Sequence, residues 1–276
     1  MASPVANYNV VLLQPRGFAP SYSFLEVGRL LVHSLRSLGL DCHLSVNNLA
    51  ANAVNVLLGY HLLPGLLPTL TQTDYIVYQL EQLPGHPRLP LPGHLELLRN
   101  ARVVWDYSAV NLTFLRERGL DNVALVPVGY HEALRNIDER PEDIDVLFYG
   151  LINDRRAQVL QAIAASHRVE SLFGLYGDSR DAYIARSKLV LNVHYYPVQI
   201  FEQVRIAYLL NNRRCVVSES SPDNPYEAGM ITGALADLPE LCRHYASDPE
   251  GRQRIAERGF ELLRQRPMVE YLRHAL

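Results

Sequence analysis

The sequence predicts an α/β protein of two lobes, each a parallel sheet with helices on both faces. Three observations support this prediction. Short apolar runs of strand length alternate with amphipathic helical segments along the chain. The alternation lapses once, in the charged stretch 131–143, and restarts at Ile144. Residues 187–220 place two apolar runs on either side of a helix, as a βαβ unit requires. We therefore predict an N-terminal domain over 1–135, a C-terminal domain over 144–260, and a terminal helical segment over 261–276 that returns to the first lobe.

The first lobe is predicted to hold six strands and three main helices. The helix that carries Phe24, Val27, Leu31, Leu35 and Leu38 on one face stops at Gly39, and two more helices follow near 94–100 and 109–118. The strands are predicted at 9–13, 42–46, 54–58, 75–78, 103–105 and 123–127. Leu, Pro and Gly dominate 61–72 and 83–93, which we predict to be surface loops. These loops serve either as packing connectors or as an acceptor-binding rim.

The second lobe begins with a strand at 144–149 and a helix at 155–165. Strands at 189–193 and 215–218 then flank a helix that carries Phe201, Val204, Ala207 and Tyr208 at helical spacing. Ligands of an open parallel sheet bind outside the carboxyl ends of its strands. The loop from His194 to Gln199 and the helix start after it are therefore the predicted ligand site. Residues 248–263 and 268–276 are predicted to be helices.

Composition narrows the function classes. The chain has 276 residues, of which 48% are apolar, and a net charge of −3, which does not favour a surface built to bind nucleic-acid phosphates. Three cysteines without metal-ligand spacing, no leader pattern and no run of about 20 apolar residues predict a soluble cytoplasmic protein without an integral membrane segment. The sequence also lacks a P-loop and Gly-x-Gly-x-x-Gly, so we expect no nucleotide cofactor, and we expect no metal.

Two arginines stand where a helix usually prefers acidic residues. Arg155 and Arg156 open the helix after the first strand of the second lobe, although a helix N-terminus already carries partial positive charge. A bound anion resolves this conflict, because backbone N–H groups and a guanidinium together make a diphosphate site. The alternative is that both arginines are solvated surface side chains.

Three segments of the second lobe resemble the GT-B glycosyltransferases, in particular the retaining branch that carries a Glu, seven residues and a second Glu. Phe201-Glu202 and CVVSES match the second half of that motif, while His194 stands where the first Glu would be. In the segment Gly-Arg-Leu, three residues, Lys, Gly150 matches the Gly, Arg156 stands at the Lys and Leu151 at the Arg. SLFGLYGDSR resembles the segment that flanks the nucleotide base, and NVHYY…IFEQVR is similar to the spore-maturation CgeB-like subgroup.

The resemblance implies two Rossmann-like lobes with an interlobe cleft, and transfer of a hexosyl or pentosyl group from a nucleotide diphosphate sugar without metal. It implies retention of configuration, although His194 in place of Glu leaves the stereochemistry open. Glu202 would accept hydrogen bonds from the ribose hydroxyls; alternatively it only interacts with the helix dipole. Arg205, three residues later, is expected to be a helix-surface partner of Glu202. The acceptor is unknown and can be a polysaccharide, protein, lipid, small molecule or modified nucleic acid. The implied donor-binding residues are Gly150, Arg155, Arg156, Gly174, His194, Tyr195, Tyr196 and Glu202.

Catalytic candidates in the first lobe follow from position alone. His61, Glu81 and Asp106 each come at or after the carboxyl end of a predicted strand, where a general base would lie. Two rival functions stay open. One is a non-catalytic nucleotide-sugar-binding or partner-binding protein of this fold, which Leu151 and His194 favour. The other is a sugar-nucleotide epimerase of similar shape.

Overall fold

The computed structural model describes residues 7–63, 65–70, 72–86, 89–196 and 199–276, without the side chain of Pro92. Residues 1–6, Pro87 and Pro197, which entered the sequence analysis, lie outside these ranges. The described chain forms two compact units, one of 1–133 with 267–276 and the other of 134–266.

The first unit is built on a six-stranded parallel sheet in the order β2-β1-β3-β4-β5-β6. Every strand predicted in the first lobe is present, with bounds shifted by up to two residues at either end. The strands are β1 (Asn7–Leu12), β2 (Asp41–Val46), β3 (Val54–Leu58), β4 (Tyr75–Gln79), β5 (Val103–Asp106) and β6 (Val123–Leu125). The helices are α1 (Leu25–Ser37), α2 (Leu67–Leu70), α3 (Pro92–Asn100), α4 (Ala109–Arg116) and α10 (Met268–Ala275), and α10 packs against α1.

The predicted loop 61–72 is partly wrong. It contains the end of a 3-10 turn at Tyr60–Leu62 and the single helical turn α2. Leu70 on that turn is buried in the same cluster as Val11, Leu57 and Val77 of the sheet. Burial of one such side chain contributes about 1.5–3 kcal/mol, which gives a Pro-containing segment a reason to fold back onto the core.

The second unit has a five-stranded parallel sheet in the order β11-β10-β9-β7-β8. Its strands are β7 (Ile144–Tyr149), β8 (Val169–Leu172), β9 (Ser187–Asn192), β10 (Val216–Glu219) and β11 (Ile231–Gly233). Its helices are α5 (Asp154–Ala164), α6 (Asp178–Ile184), α7 (Gln203–Asn211), α8 (Leu238–Ala246) and α9 (Pro249–Arg264). The pairing of β9 with β10 is parallel, which confirms the predicted βαβ unit. No helix within the described ranges has the length and apolar character needed to span a bilayer.

The interior of the second unit explains the apolar runs within its central strands β7, β9 and β10. Val146, Phe148, Leu189, Leu191 and Val217 lie in one buried cluster with side chains of α5 and α8. A parallel sheet covered on both faces buries successive residues, so its strands show continuous apolar runs rather than alternation.

The predicted connector 131–143 contains a 3-10 turn, Glu132–Leu134, and is otherwise irregular up to β7. Part of it is fixed to the second unit by Asn212 at the end of α7. The Asn212 side chain accepts from the backbone N–H of Asn136 and Ile137, and donates to the carbonyl of Leu134.

Candidate functional site

The second sheet reverses its strand order between β7 and β9, because β8 lies on one side of β7 and β9 on the other. Such a switch point opens a crevice at the carboxyl ends of the two strands, where ligands of parallel sheets bind. The segments that leave these two strand ends lead into α5 and α7. Most of the predicted donor-binding residues lie on them.

Gly150 directly follows β7 and adopts a φ of +136°, a conformation that side chains with a Cβ rarely tolerate. A Cβ at this position would lie 3.1 Å from Nη2 of Arg205 and 3.6 Å from Nη1 of Arg156. The glycine therefore gives the backbone its turn and leaves room for two guanidinium groups.

Arg156 is 4% exposed and is fixed by the backbone of both segments. Its Nε donates to the carbonyl of Val193 at 2.9 Å and its Nη1 to that of Leu151 at 2.8 Å. The guanidinium lies over the rings of Phe148 and Tyr195, 5.3 and 5.1 Å from their centroids. Burial lowers the pKa of Arg156 to about 10, helped by the nearby charge of another arginine, so the group stays charged at neutral pH. Three of its five N–H groups have no hydrogen bond to the described part of the chain.

Arg205 on α7 turns toward the same crevice. The sequence predicts only that Arg205 is a helix-surface partner of Glu202. In the structure, its Nη1 donates to Oδ1 of Asn192 at 3.1 Å, and its guanidinium lies over the ring of Tyr149, 4.8 Å from the ring centroid. Its Nη1 is 3.9 Å from Oε2 of Glu202. Among the described residues it uses one N–H in a hydrogen bond, so it offers more free donors than Arg156.

Glu202 is the N-cap residue of α7, but its side chain makes no capping hydrogen bond. Its carboxylate lies between Arg156 and His194 instead, 3.7 Å from Nη2 of Arg156 and 3.5 Å from Nδ1 of His194. Burial raises the pKa of Glu202, but His194, Arg205 and Arg156 outweigh burial and hold that pKa below its usual range. Glu202 is therefore ionised at neutral pH. Its ribose-binding role stays a prediction.

His194 is fully buried at the end of β9. Its Nε2 lies 2.9 Å from Oγ of Ser221, and its Nδ1 makes no hydrogen bond to the described residues although it faces Glu202. A buried imidazole nitrogen without a partner is costly, so this geometry differs from that of a solvated loop histidine.

Arg155 forms a bidentate ion pair with Glu219, the last residue of β10. Nη1 lies 2.5 Å from Oε2, and Nη2 donates to Oε1. These hydrogen bonds to Glu219 raise the pKa of Arg155, and Arg155 in turn holds the pKa of Glu219 low despite its burial. A phosphate role for Arg155 stays a prediction, and in this structure its guanidinium already has a carboxylate partner.

The other predicted donor-side residues differ in their surroundings. Tyr195 contacts Arg156 as described, and Tyr196 packs edge-on against Tyr195 with ring centroids 4.9 Å apart. Gly174 does not join this cluster. It has a φ of +78° in the loop after β8, and a Cβ there would meet nothing within 4 Å.

The first-lobe candidates lie at the carboxyl ends of β3, β4 and β5. Nε2 of His61 is 3.8 Å from Oε1 of Glu81, so these two form a pair. Burial lowers the pKa of His61 to about 4, with further lowering by His94 and His86, so the imidazole is neutral at physiological pH.

Asp106 is completely buried at the end of β5 and fixes the backbone near Glu81 through its hydrogen bonds. Its carboxylate accepts from the N–H of Ser108, from Asn111 Nδ2 at 3.0 Å and from Gln79 Nε2 at 3.2 Å. Gln79 and Asn111 also donate to the carbonyl of Glu81, at 2.6 and 2.8 Å. Burial raises the pKa of Asp106 to about 8, against the hydrogen bonds that lower it. The network thus fixes the segment that carries Glu81.

Sequence analysis missed several polar residues of the second unit's site. These are Asn192, Glu219 and Ser221. Asn192 and Glu219 end strands β9 and β10, so the rule that ligand sites lie at carboxyl ends of strands would have indicated both. Within the described ranges, no three His, Cys, Asp or Glu side chains are grouped so that they could hold a metal ion.

Comparison with known proteins links this chain to one fold. No protein-family model matches the sequence. The uncharacterized protein L137 of Acanthamoeba polyphaga mimivirus is 34% identical over 125 residues, which cover 42% of this chain and only 16% of that protein.

Two solved structures are similar over most of the chain. TarM superposes with a TM-score of 0.59 at 9% identity, over 88% of this chain and 56% of TarM. The DNA modifying enzyme β-glucosyltransferase, studied with and without its substrate uridine diphosphoglucose, gives a TM-score of 0.58 at 9% identity over 97% of this chain and 98% of that one. Both are GT-B glycosyltransferases, and the chain has their fold, as the sequence resemblance predicted.

Proposed function

We propose that this chain is a glycosyltransferase that moves a sugar from a nucleotide diphosphate sugar to an acceptor, without a metal ion. One observation carries the proposal. Two arginines with unused N–H groups, Arg156 and Arg205, flank an ionised glutamate at the switch point of a GT-B sheet. The cluster of these arginines and Glu202 has a net charge of +1, which favours an anionic ligand.

Arg156 and Arg205 would bind the diphosphate and stabilise the charge that grows on it as the sugar leaves. Fixed cations stabilise such charge most where burial excludes water and the groups need no reorganisation. Arg156 fits this description, because two carbonyls and two aromatic rings hold its guanidinium in place. A metal ion would then not be needed to neutralise the leaving group.

Glu202 would accept the ribose hydroxyls and His194 would contact the donor sugar through Nδ1. The low pKa of Glu202 supports the first role, because an ionised carboxylate is an acceptor for both hydroxyls of a ribose. The second is supported by Nδ1 of His194, which lies 3.5 Å from Glu202 and has no hydrogen bond to the described residues. Retention of configuration, transfer of a hexosyl or pentosyl group and membership of the CgeB-like subgroup remain parts of this proposal, as does a cytoplasmic location.

On the acceptor side, we propose Glu81 as the general base, with His61 as its neighbour. The side chain of Glu81 is partly exposed, so its carboxylate is accessible. Its backbone carbonyl accepts hydrogen bonds from Gln79 and Asn111, which fix the backbone at this position. Asp106 is too deeply buried to reach a substrate. We propose that it holds Gln79 and Asn111 in place through hydrogen bonds.

A non-catalytic nucleotide-sugar-binding protein is the second candidate. Leu151 stands where the family has an arginine, and Arg155 is already paired with Glu219, so the site has fewer free cations than the family pattern implies. A sugar-nucleotide epimerase is the third, since it would need the donor site without an acceptor.

Thermal unfolding with a panel of nucleoside diphosphates, their sugars and the bare nucleosides tests the proposal. A ligand at 100 times its dissociation constant adds about 2.7 kcal/mol to the free energy of unfolding. At the same concentration, at least one nucleoside diphosphate should stabilise the protein more than its bare nucleoside does. No stabilisation by any diphosphate would contradict the proposal. Product analysis with the binding donor then separates the candidates: a transferase needs an acceptor, an epimerase changes the donor alone, and a binding protein leaves it intact.

A further inference from the structure

Glu219 collects four N–H donors on one buried carboxylate. Its side chain is 2% exposed and accepts from both terminal nitrogens of Arg155. The backbone N–H of His194 donates to Oε2 at 3.2 Å, and Nε2 of Gln199 donates to Oε1 at 3.0 Å. Buried carboxylates are stabilised by such charge-assisted bonds, and each lost partner leaves an uncompensated charge.

These donors come from both ends of one segment. His194 is the second residue after β9, and Gln199 lies five residues later, close to the start of α7. Two more bonds fix the first end, because Arg155 Nη1 donates to the carbonyl of His194 at 3.2 Å and Asn153 Nδ2 to that of Tyr195 at 3.0 Å. The result ties α5, the end of β9 and the approach to α7 to a single side chain of β10.

We propose that Glu219 is the positioning residue of the donor site, an inference that rests on the function proposed above. It orients His194 and Tyr195 beside Glu202 and Arg156, and it occupies Arg155 so that Arg156 and Arg205 bind the diphosphate. Glu219 itself touches no ligand in this account, because the described residues already saturate both of its oxygens.

The sign of one substitution separates this role from simple electrostatics. Removal of a negative charge beside an anion site should tighten anion binding by Coulomb attraction alone. If Glu219 positions the site, Glu219→Gln should weaken binding instead, because the amide nitrogen cannot accept from Arg155 or from the N–H of His194. We expect the affinity for whichever of UDP, GDP, ADP and dTDP binds the wild type best to fall at least about fivefold.

The matched control is Glu227→Gln, which removes the same charge from an exposed glutamate of the same unit. It should leave the diphosphate affinity within about twofold of the wild type. The ratio of diphosphate affinity to nucleoside affinity should fall in Glu219→Gln and stay unchanged in Glu227→Gln. This result would indicate a local effect on the diphosphate site rather than a general loss of stability.

A second measurement needs no ligand. Hydrogen exchange of the ligand-free protein should show faster exchange at the His194 amide in Glu219→Gln and an unchanged rate in Glu227→Gln. If the wild type binds no nucleotide, the proposed function fails while this measurement still tests the positioning contacts. Unchanged exchange would overturn the inference, and so would faster exchange with equal or tighter diphosphate binding. If Glu219→Gln does not fold, Gln199→Ala removes one donor and keeps the Arg155 ion pair. It should weaken diphosphate binding about threefold, and unchanged or tighter binding would overturn the inference.

Discussion

Arg205→Met is the substitution that best isolates the diphosphate contact. Methionine keeps an unbranched apolar side chain and removes the guanidinium that lies over the ring of Tyr149. A hydrogen bond to a charged group is worth about 1.5–3 kcal/mol, so the affinity for a nucleoside diphosphate should fall about 10- to 150-fold. The bare nucleoside has no phosphate to lose and should bind within about twofold of its wild-type affinity.

The substitution has a structural cost that must be measured beside it. Asn192 loses the donor to its Oδ1, and Glu202 loses one of the cations near it. We expect the free energy of unfolding to fall by about 1 kcal/mol, which leaves the protein folded at 25 °C. Calorimetric titration of both ligands gives the affinities, and denaturant unfolding gives the stability.

Arg254→Met is the control, since Arg254 is an exposed arginine of α9 with a side chain 70% accessible. It should change neither affinity by more than about twofold, because exposed charges are screened. Equal losses for nucleoside and diphosphate in Arg205→Met, or no loss for either, would refute the placement of the diphosphate at this arginine.

Four further predictions concern other parts of the account. Gly150→Ala should destabilise the protein by about 1–3 kcal/mol and weaken diphosphate binding, whereas Gly93→Ala, with open space around it, should do neither; unfolding and calorimetry compare them. The pKa of His61 is about 4 in the folded protein and 6.5 in the unfolded chain. The contribution of neutral His61 to the stability of the folded protein is therefore complete above pH 6.5 and is lost as the pH falls toward 4. The free energy of unfolding should therefore fall by about 3 kcal/mol between pH 6.5 and pH 4 because of this group. His61→Gln should remove this pH dependence, whereas substitution of an exposed histidine, His43→Gln, should keep it. Identical pH profiles for the two variants would contradict the prediction. Glu202→Gln should lower the affinity for a nucleoside diphosphate about tenfold or more, and the affinity for its 2′-deoxy form by less. Equal proportional losses for the two ligands would show that Glu202 does not bind the ribose. Diphosphate affinity should be the same in EDTA as in Mg²⁺, and a Mg²⁺ requirement would contradict the metal-free site.

The strands were the most predictable part of the fold. Runs such as 54–58 and 144–149 consist mostly of apolar residues. A strand of a parallel sheet is buried on both faces, so a short apolar run of this kind indicates a strand. Sequence analysis gave no strand at 231–233 and no helix at 238–246. The strand has three residues, too few to show a pattern. The helix was detectable, because Leu238, Cys242 and Ala246 recur every four residues and a proline at its second position is compatible with a first turn.

Part of the site followed from local pattern. Gly150 and Arg156 resemble one segment of the family, and Glu202 resembles another, in which His194 stands in place of a Glu. The structure also brings these four residues together. The pairing of Arg155 with Glu219 was beyond reach, because the two residues are 64 positions apart and no local periodicity links them. An arginine at a helix start has the same local signal whether its partner is a phosphate or a distant carboxylate.

The inward orientation of Arg205 was missed for a related reason. A residue three positions after Glu202 lies on the same helix face, which suggested an exposed ion pair. That face turns out to cover Tyr149 and Asn192 at the ends of β7 and β9. Only the packing of α7 on the sheet shows that the shared face is the crevice side.

The central claim is that the carboxyl ends of β7 and β9 bind the diphosphate of a sugar donor, and a crystal structure of the protein with a bound nucleoside diphosphate tests it most directly. The account predicts phosphate oxygens about 3 Å from the guanidinium nitrogens of Arg205 and Arg156. It also predicts the ribose beside Glu202 and an intact ion pair between Arg155 and Glu219. A diphosphate bound elsewhere, or one held by Arg155 with Arg205 turned away, would contradict it.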